Sequence, residues 1–125
     1  MKDHVRTCEQ CQCRSGNRYS DELHPTFGSI AFEKVGVDVI HMPPGVGGKK
    51  VIVVARDDFT GWVEARALST ASSKLVAEFL YQDVITCFGV PREFVMDGGP
   101  ENKKFTEELA RRFNIRQIII SAYHP

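Results

Sequence analysis

Residues 49–68 read KKVIVVARDDFTGWVEARAL, and their pattern decides the fold. Lys49 to Arg56 carries a continuous apolar run, consistent with a strand buried on both faces. Asp57-Asp58-Phe59-Thr60-Gly61 is a short polar turn ending on glycine, and Trp62 to Leu68 then alternates. Two strands joined by so few residues run antiparallel, so this stretch forms a β-hairpin. The alternation points Val63, Ala65 and Ala67 inward and Glu64 and Arg66 outward, as on an edge strand. The hairpin disfavours a receiver-like phosphotransfer domain, whose parallel strands are joined by helices.

Upstream, Val35, Val37 and Val39 recur with the period of two expected of a strand, which Pro43-Pro44-Gly45 ends. Downstream, Ser69-Thr70-Ala71-Ser72 supplies helix N-cap candidates. Leu75, Val76, Phe79, Leu80 and Val84 share a helical face that Gly89 and Pro91 close. Arg92 to Met96 predicts a short strand delivering Asp97 to its C-terminal end. Phe105, Leu109 and Phe113 mark a second helix, Asn114 its C-cap, and Ile115 to Ile120 a final strand. The predicted order is β-β-β-α-β-α-β, a mixed α/β sheet.

The chain's 125 residues suit one compact domain. Lys plus Arg and Asp plus Glu both number 16, so bulk charge selects neither a nucleic-acid nor a membrane partner. The longest apolar run, Val51 to Ala55, is too short to span a bilayer. Met1-Lys2-Asp3-His4 has no apolar stretch behind it, so no signal peptide is expected. Without a secretory signal, a disulfide framework among Cys8, Cys11, Cys13 and Cys87 is not expected either. Cys8 and Cys11 have the spacing that grips zinc, but this is half of a ligand set. His4 and Cys13 crowd the same segment, and nothing in the spacing of His24 marks it as a ligand. Reduced thiols in an N-terminal arm are the preferred reading. Arg14 to Ser29 reads as a linker.

The chemistry points to Asp38 and Asp97. Asp38 interrupts an apolar strand, where an unpaired carboxylate would carry a desolvation cost. Asp97 meets a Gly-Gly turn at a strand end, where open α/β sheets handle ligands. If the first and fourth strands are neighbours, their backbones lie about 4.8 Å apart, and two carboxylates there repel unless a cation lies between them. Oxygen-only ligands select Mg²⁺ or Mn²⁺. Asp57 and Asp58 read as hairpin-turn residues, though Asp57 could approach the same pocket. Lys103, Lys104, Arg111 and Arg112 could line a phosphate-binding face, but Glu107 and Glu108 among them favour a solvated helix surface. Trp62 and Tyr123 could stack on bases or simply pack at a sheet edge and chain end.

The blocks VGVDVIHMP, VIVVARDDFTGWVEA, FGVPREFVMDGGPEN and SAYHP, in that order, resemble the integrase catalytic core of gypsy-type LTR retrotransposons and retroviruses. The resemblance implies an RNase H-like fold, processing and transfer of element DNA in the nucleus, and Asp38 and Asp97 as the first two catalytic, metal-binding aspartates. It matches Cys8 and Cys11 to the cysteine half of a His-His-Cys-Cys zinc motif whose histidines lie upstream of Met1. It divides the chain into a zinc-module remnant and linker over 1–28 and a truncated core over 29–125. It also implies a catalytic glutamate about 35 residues beyond the second aspartate, about eight positions past Pro125, on a C-terminal helix this chain lacks. Asn102 stands where many relatives place phenylalanine. The reading is therefore a core fragment, inactive alone, whose partners are DNA or RNA and a second copy, with no membrane. The alternative is a non-catalytic nucleic-acid-binding remnant that keeps Lys103 and Lys104 as contacts.

Overall fold

The computed structural model describes residues 29–121. The zinc half-site and its neighbours His4, Cys13 and His24, the whole 1–28 segment and Tyr123 lie outside them. The elements follow the predicted order: β1 (Lys34–His41), β2 (Val51–Asp57), β3 (Val63–Leu68), α1 (Ser73–Phe79), α2 (Thr86–Phe88), β4 (Glu93–Asp97), α3 (Phe105–Arg112) and β5 (Arg116–Ile120). A π-helical segment, Leu80–Ile85, joins α1 to α2, and 3₁₀ turns occupy Val46–Gly48 and Pro100–Asn102. The five strands form one sheet in the order β3-β2-β1-β4-β5. β1 and β2, and β2 and β3, pair antiparallel, whereas β4 pairs parallel with both β1 and β5. No helix among the described residues is long and apolar enough to cross a membrane.

The helices cover one face of the sheet. Val35, Val37, Val53, Ala55, Phe94 and Met96 are buried there against Val76, Phe79, Leu80 and Val84. Ser72 caps α1 as expected, its hydroxyl accepting the Leu75 N–H at 3.2 Å. At the far end Gly89 adopts φ 96°, a backbone open to glycine, and ends the helical run. Asn114, at φ 54°, turns the chain out of α3 while its N–H bonds the Arg111 carbonyl at 3.2 Å.

Two predicted orientations are corrected. β2 is not buried on both faces: Val51, Val53 and Ala55 are buried, but Ile52 and Val54 are half-exposed. β3 has the opposite phase from the one predicted, with Leu68 buried, Glu64 and Arg66 half-buried, and Val63, Ala65 and Ala67 exposed. Arg66 suits the covered face because its guanidinium lies 5.7 Å from the Phe79 ring centre and pairs with Asp83 at 2.5 and 3.0 Å. On α3 the buried residues are Thr106 and Ala110; Phe105 is exposed and Leu109 and Phe113 are half-buried. Leu109 and Phe113 still pack against the core, whereas Phe105, the first residue of the spacing, does not.

Candidate metal centre

The site grows from the pairing of β1 with β4. Their parallel register runs Lys34 with Glu93, Val35 with Phe94 and Gly36 with Val95. Asp38 and Asp97 each lie two residues beyond the last pair, on neighbouring strands, at the C-terminal side of that register. Side chains alternate along a strand, so Val37 and Met96 enter the core while Asp38 and Asp97 emerge on the opposite face. Both aspartates are exposed and line one cleft of about 480 Å³, together with Gly36, Val54, Val95 and Ile120. The burial cost expected for Asp38 is therefore absent, because its strand is buried on one face only.

Each carboxylate is only partly committed. Asp38 Oδ1 accepts the Val39 N–H at 2.9 Å. Asp97 Oδ1 accepts the Gly99 N–H at 3.1 Å and Asn102 Nδ2 at 2.8 Å. The second oxygen of each has no hydrogen bond among the described residues. Two oxygen ligands on adjacent strands, open to solvent, suit a hard divalent cation such as Mg²⁺ or Mn²⁺. No third His, Cys, Asp or Glu among the described residues completes a metal-binding group.

The Gly-Gly turn shapes this end of β4. A Cβ at Gly99 would collide with the carboxylate of Glu101, which folds back over that glycine. Thr106 Oγ1 donates to the Glu101 carbonyl at 3.1 Å, and Gln117 Nε2 donates to the Asn102 carbonyl at 3.1 Å. The turn is thus tied to both α3 and β5. Asn102 and Gln117 were not among the predicted site residues. The sequence signals were the placement of Asn102 five residues after Asp97, across a turn, and its standing where many relatives place phenylalanine.

The remaining candidates lie elsewhere. Asp57 does not approach the cleft; it is buried on the covered face, 1% exposed. Its carboxylate accepts the N–H groups of Phe32 at 2.9 Å and Thr60 at 3.0 Å, the Thr60 hydroxyl at 2.6 Å and, more weakly, the Phe59 N–H at 3.4 Å. Burial pushes its pKa up, but those hydrogen bonds, led by the Thr60 hydroxyl, outweigh it and hold the carboxyl below its ordinary 3.8. One of them anchors Phe32, a non-glycine residue at φ 59° whose ring stacks on Phe88 with centres 4.0 Å apart. Lys103 and Lys104 are exposed but do not line the aspartate cleft. Lys104 instead borders a shallow surface with Glu107, Glu108 and Arg111, the mixed-charge face that the acidic neighbours favoured. Trp62 is exposed, its Nε1 donating to Glu64 at 2.7 Å. A larger groove of about 570 Å³ between α1 and α3 is lined by Tyr81, Phe105 and Phe113, and neither Asp38 nor Asp97 borders it.

Comparison with known proteins agrees with this architecture. The chain is 34% identical over 99 residues to the Gag-Pol polyprotein of avian reticuloendotheliosis virus, a match covering 78% of this chain and 9% of the polyprotein. Among solved structures it is similar to the HTLV-2 integrase catalytic core domain in complex with magnesium (trimeric form), at TM-score 0.66 and 21% identity, covering 74% of this chain and 62% of that one. It is similar also to a chain of the simian T-cell lymphotropic virus intasome in complex with the PP2A regulatory subunit B56 gamma, at TM-score 0.70 and 21% identity, covering 79% of this chain and 35% of that one. These likenesses establish an RNase H-like mixed sheet. The integrase core domain model matches residues 29–125, and the chain belongs to that family.

Proposed function

We propose that this chain is the catalytic-core portion of a retroelement integrase, and that Asp38 and Asp97 hold a divalent cation used in phosphodiester chemistry on DNA. The observation that carries the proposal is the emergence of two half-committed carboxylates on neighbouring parallel strands, facing the same open cleft. A bound Mg²⁺ or Mn²⁺ supplies activation of an attacking water or sugar hydroxyl and stabilisation of charge on the phosphate. The protein's own part is positional. The β1–β4 pairing sets the spacing of the carboxylates, and the hydrogen bonds to one oxygen of each leave the other for a ligand. Nuclear location and association with a second copy belong to the same proposal, since chromosomal DNA is the substrate it implies.

Two carboxylates bind one ion weakly and do not fix a pair of ions. The purified 125-residue chain should therefore bind Mn²⁺ with low affinity in a calorimetric or electron-spin titration, and Asp38→Asn or Asp97→Asn should abolish that binding. It should not join DNA ends. Unchanged Mn²⁺ binding in both variants would remove the proposed centre, and metal-dependent joining of oligonucleotides by this chain would overturn the two-carboxylate account. Nothing in the placement of Lys103 and Lys104 favours the non-catalytic DNA-binding reading. Salt-dependent DNA binding that survives both substitutions would support it.

A further inference from the structure

Asn102 is 2% exposed, and its amide is oriented at a cost. Nδ2 donates to Asp97 Oδ1 at 2.8 Å and to the Asp97 main-chain carbonyl at 3.1 Å. Its own Oδ1 is buried with no hydrogen-bond partner. Turning the amide end for end would set that oxygen against two acceptors on Asp97, which is worse than leaving it unpartnered. Asp97 therefore dictates how Asn102 sits, and the unpartnered oxygen follows from that choice. Gln117 on β5 completes the arrangement. Its Nε2 donates to the Asn102 carbonyl at 3.1 Å and also contacts Met96 Sδ at 3.0 Å, inside the strand that ends in Asp97.

We infer that Asn102 is a positioning residue for the candidate metal centre, with Gln117 as its support. The two Nδ2 hydrogen bonds pin the carboxylate and the main chain of Asp97 together, commit Oδ1 to the turn, and leave Oδ2 as the oxygen available to a cation. A phenylalanine at this position has no donor and cannot do this. Residues that orient a ligand through a hydrogen bond shape metal affinity although they touch no metal. The inference rests on the proposed role of Asp97 as a ligand, but the hydrogen-bonded arrangement can be tested without any metal.

The experiment combines side-chain amide NMR with Mn²⁺ titration on the full chain. In the wild type the Asn102 Nδ2 protons should exchange slowly with water, and Asp97→Ala should make them fast. Asn102→Leu should weaken Mn²⁺ binding by about tenfold, and Asn102→Gln should recover part of the loss. Should Asn102→Leu fail to fold, Gln117→Leu carries the test, with a smaller loss of affinity in the same direction. Fast-exchanging Asn102 amide protons in the wild type would overturn the inference. So would a folded Asn102→Leu variant with lowered thermal stability and wild-type Mn²⁺ affinity, which marks a purely structural role. If the wild type binds no Mn²⁺, the metal-centre proposal fails by itself, while slow amide exchange that Asp97→Ala abolishes still establishes the positioning contact.

Discussion

The two faces of the sheet treat the same residue type in opposite ways. On the covered face Asp57 is buried at the end of β2; its Oδ2 accepts the Thr60 hydrogen bonds that close the β2–β3 turn, and its Oδ1 accepts the N–H of Phe32 from the segment before β1. On the open face Asp38 and Asp97 are exposed, and each keeps one oxygen without a hydrogen bond among the described residues. The difference lies in the neighbours. Where helices exclude water, a carboxylate must be satisfied by the protein, and Asp57 becomes part of the architecture. Where no described helix packs, lone pairs remain free for a ligand. The same face also leaves Ile40, Val63 and Ile120 exposed, at 44%, 50% and 48%.

The largest test of this contrast is apolar. Phe79, with no exposed surface, packs in the helix-covered core, and Phe79→Ala should cost about 3–5 kcal/mol in a urea unfolding titration. Val54→Ala, on the open face, should cost under about 1 kcal/mol. Equal losses would mean the two faces are packed alike in solution.

Asp57→Ala should follow, at about 2–3 kcal/mol, because the N–H groups of Phe32 and Thr60 would lose their acceptor. The folded pKa of Asp57 lies below its ordinary 3.8, so its stabilising effect is present above that value and lost as pH falls through the folded pKa. Wild-type stability should therefore fall on acidification below about pH 4, and Asp57→Asn should flatten that slope. An identical acid profile in the variant would assign the slope to other groups.

Smaller again is the ion pair of Arg66 with Asp83, whose side chains are 31% and 28% exposed. A double-mutant cycle with Arg66→Met and Asp83→Asn should give a coupling of about 0.5–1 kcal/mol that shrinks with added salt. The smallest effect on stability belongs to the open face. Asp38→Asn should change it by less than about 0.5 kcal/mol while removing Mn²⁺ binding. A large loss of stability there would make Asp38 a structural residue like Asp57.

Much of this was legible in the chain. The hairpin followed from the short turn between two apolar runs, and the breakers Gly89, Pro91 and Gly98-Gly99-Pro100 separated the later elements. Both aspartates stood out, one inside a strand and one at a strand end. The facing of β3 was not legible, because alternation reports a period and not which half of it meets the core. Arg66 faces inward because its stem has Phe79 to lie against and its charge has Asp83 to meet. The rotation of α3 was not legible for the same reason: spacing by four identifies a helix, but the packing of Thr106 against the Glu101 carbonyl and Ser73 sets which side meets the core. Asn102 escaped notice as a partner of Asp97 because their contact depends on a 3₁₀ turn that spacing does not reveal.

By itself the sequence determined the order of elements, the antiparallel start of the sheet and the two carboxylates worth testing, since periodicity, turn chemistry and chain connection are local properties. The tertiary structure decided the rest. Parallel pairing of β1 with β4 joins residues 59 positions apart, Lys34 with Glu93 among them. That pairing sets Asp38 beside Asp97, and the helices determine which face of each strand sees water. Phase and adjacency are non-local, settled by which apolar surfaces are buried together, and they separate a carboxylate buried in the fold from two left open to solvent.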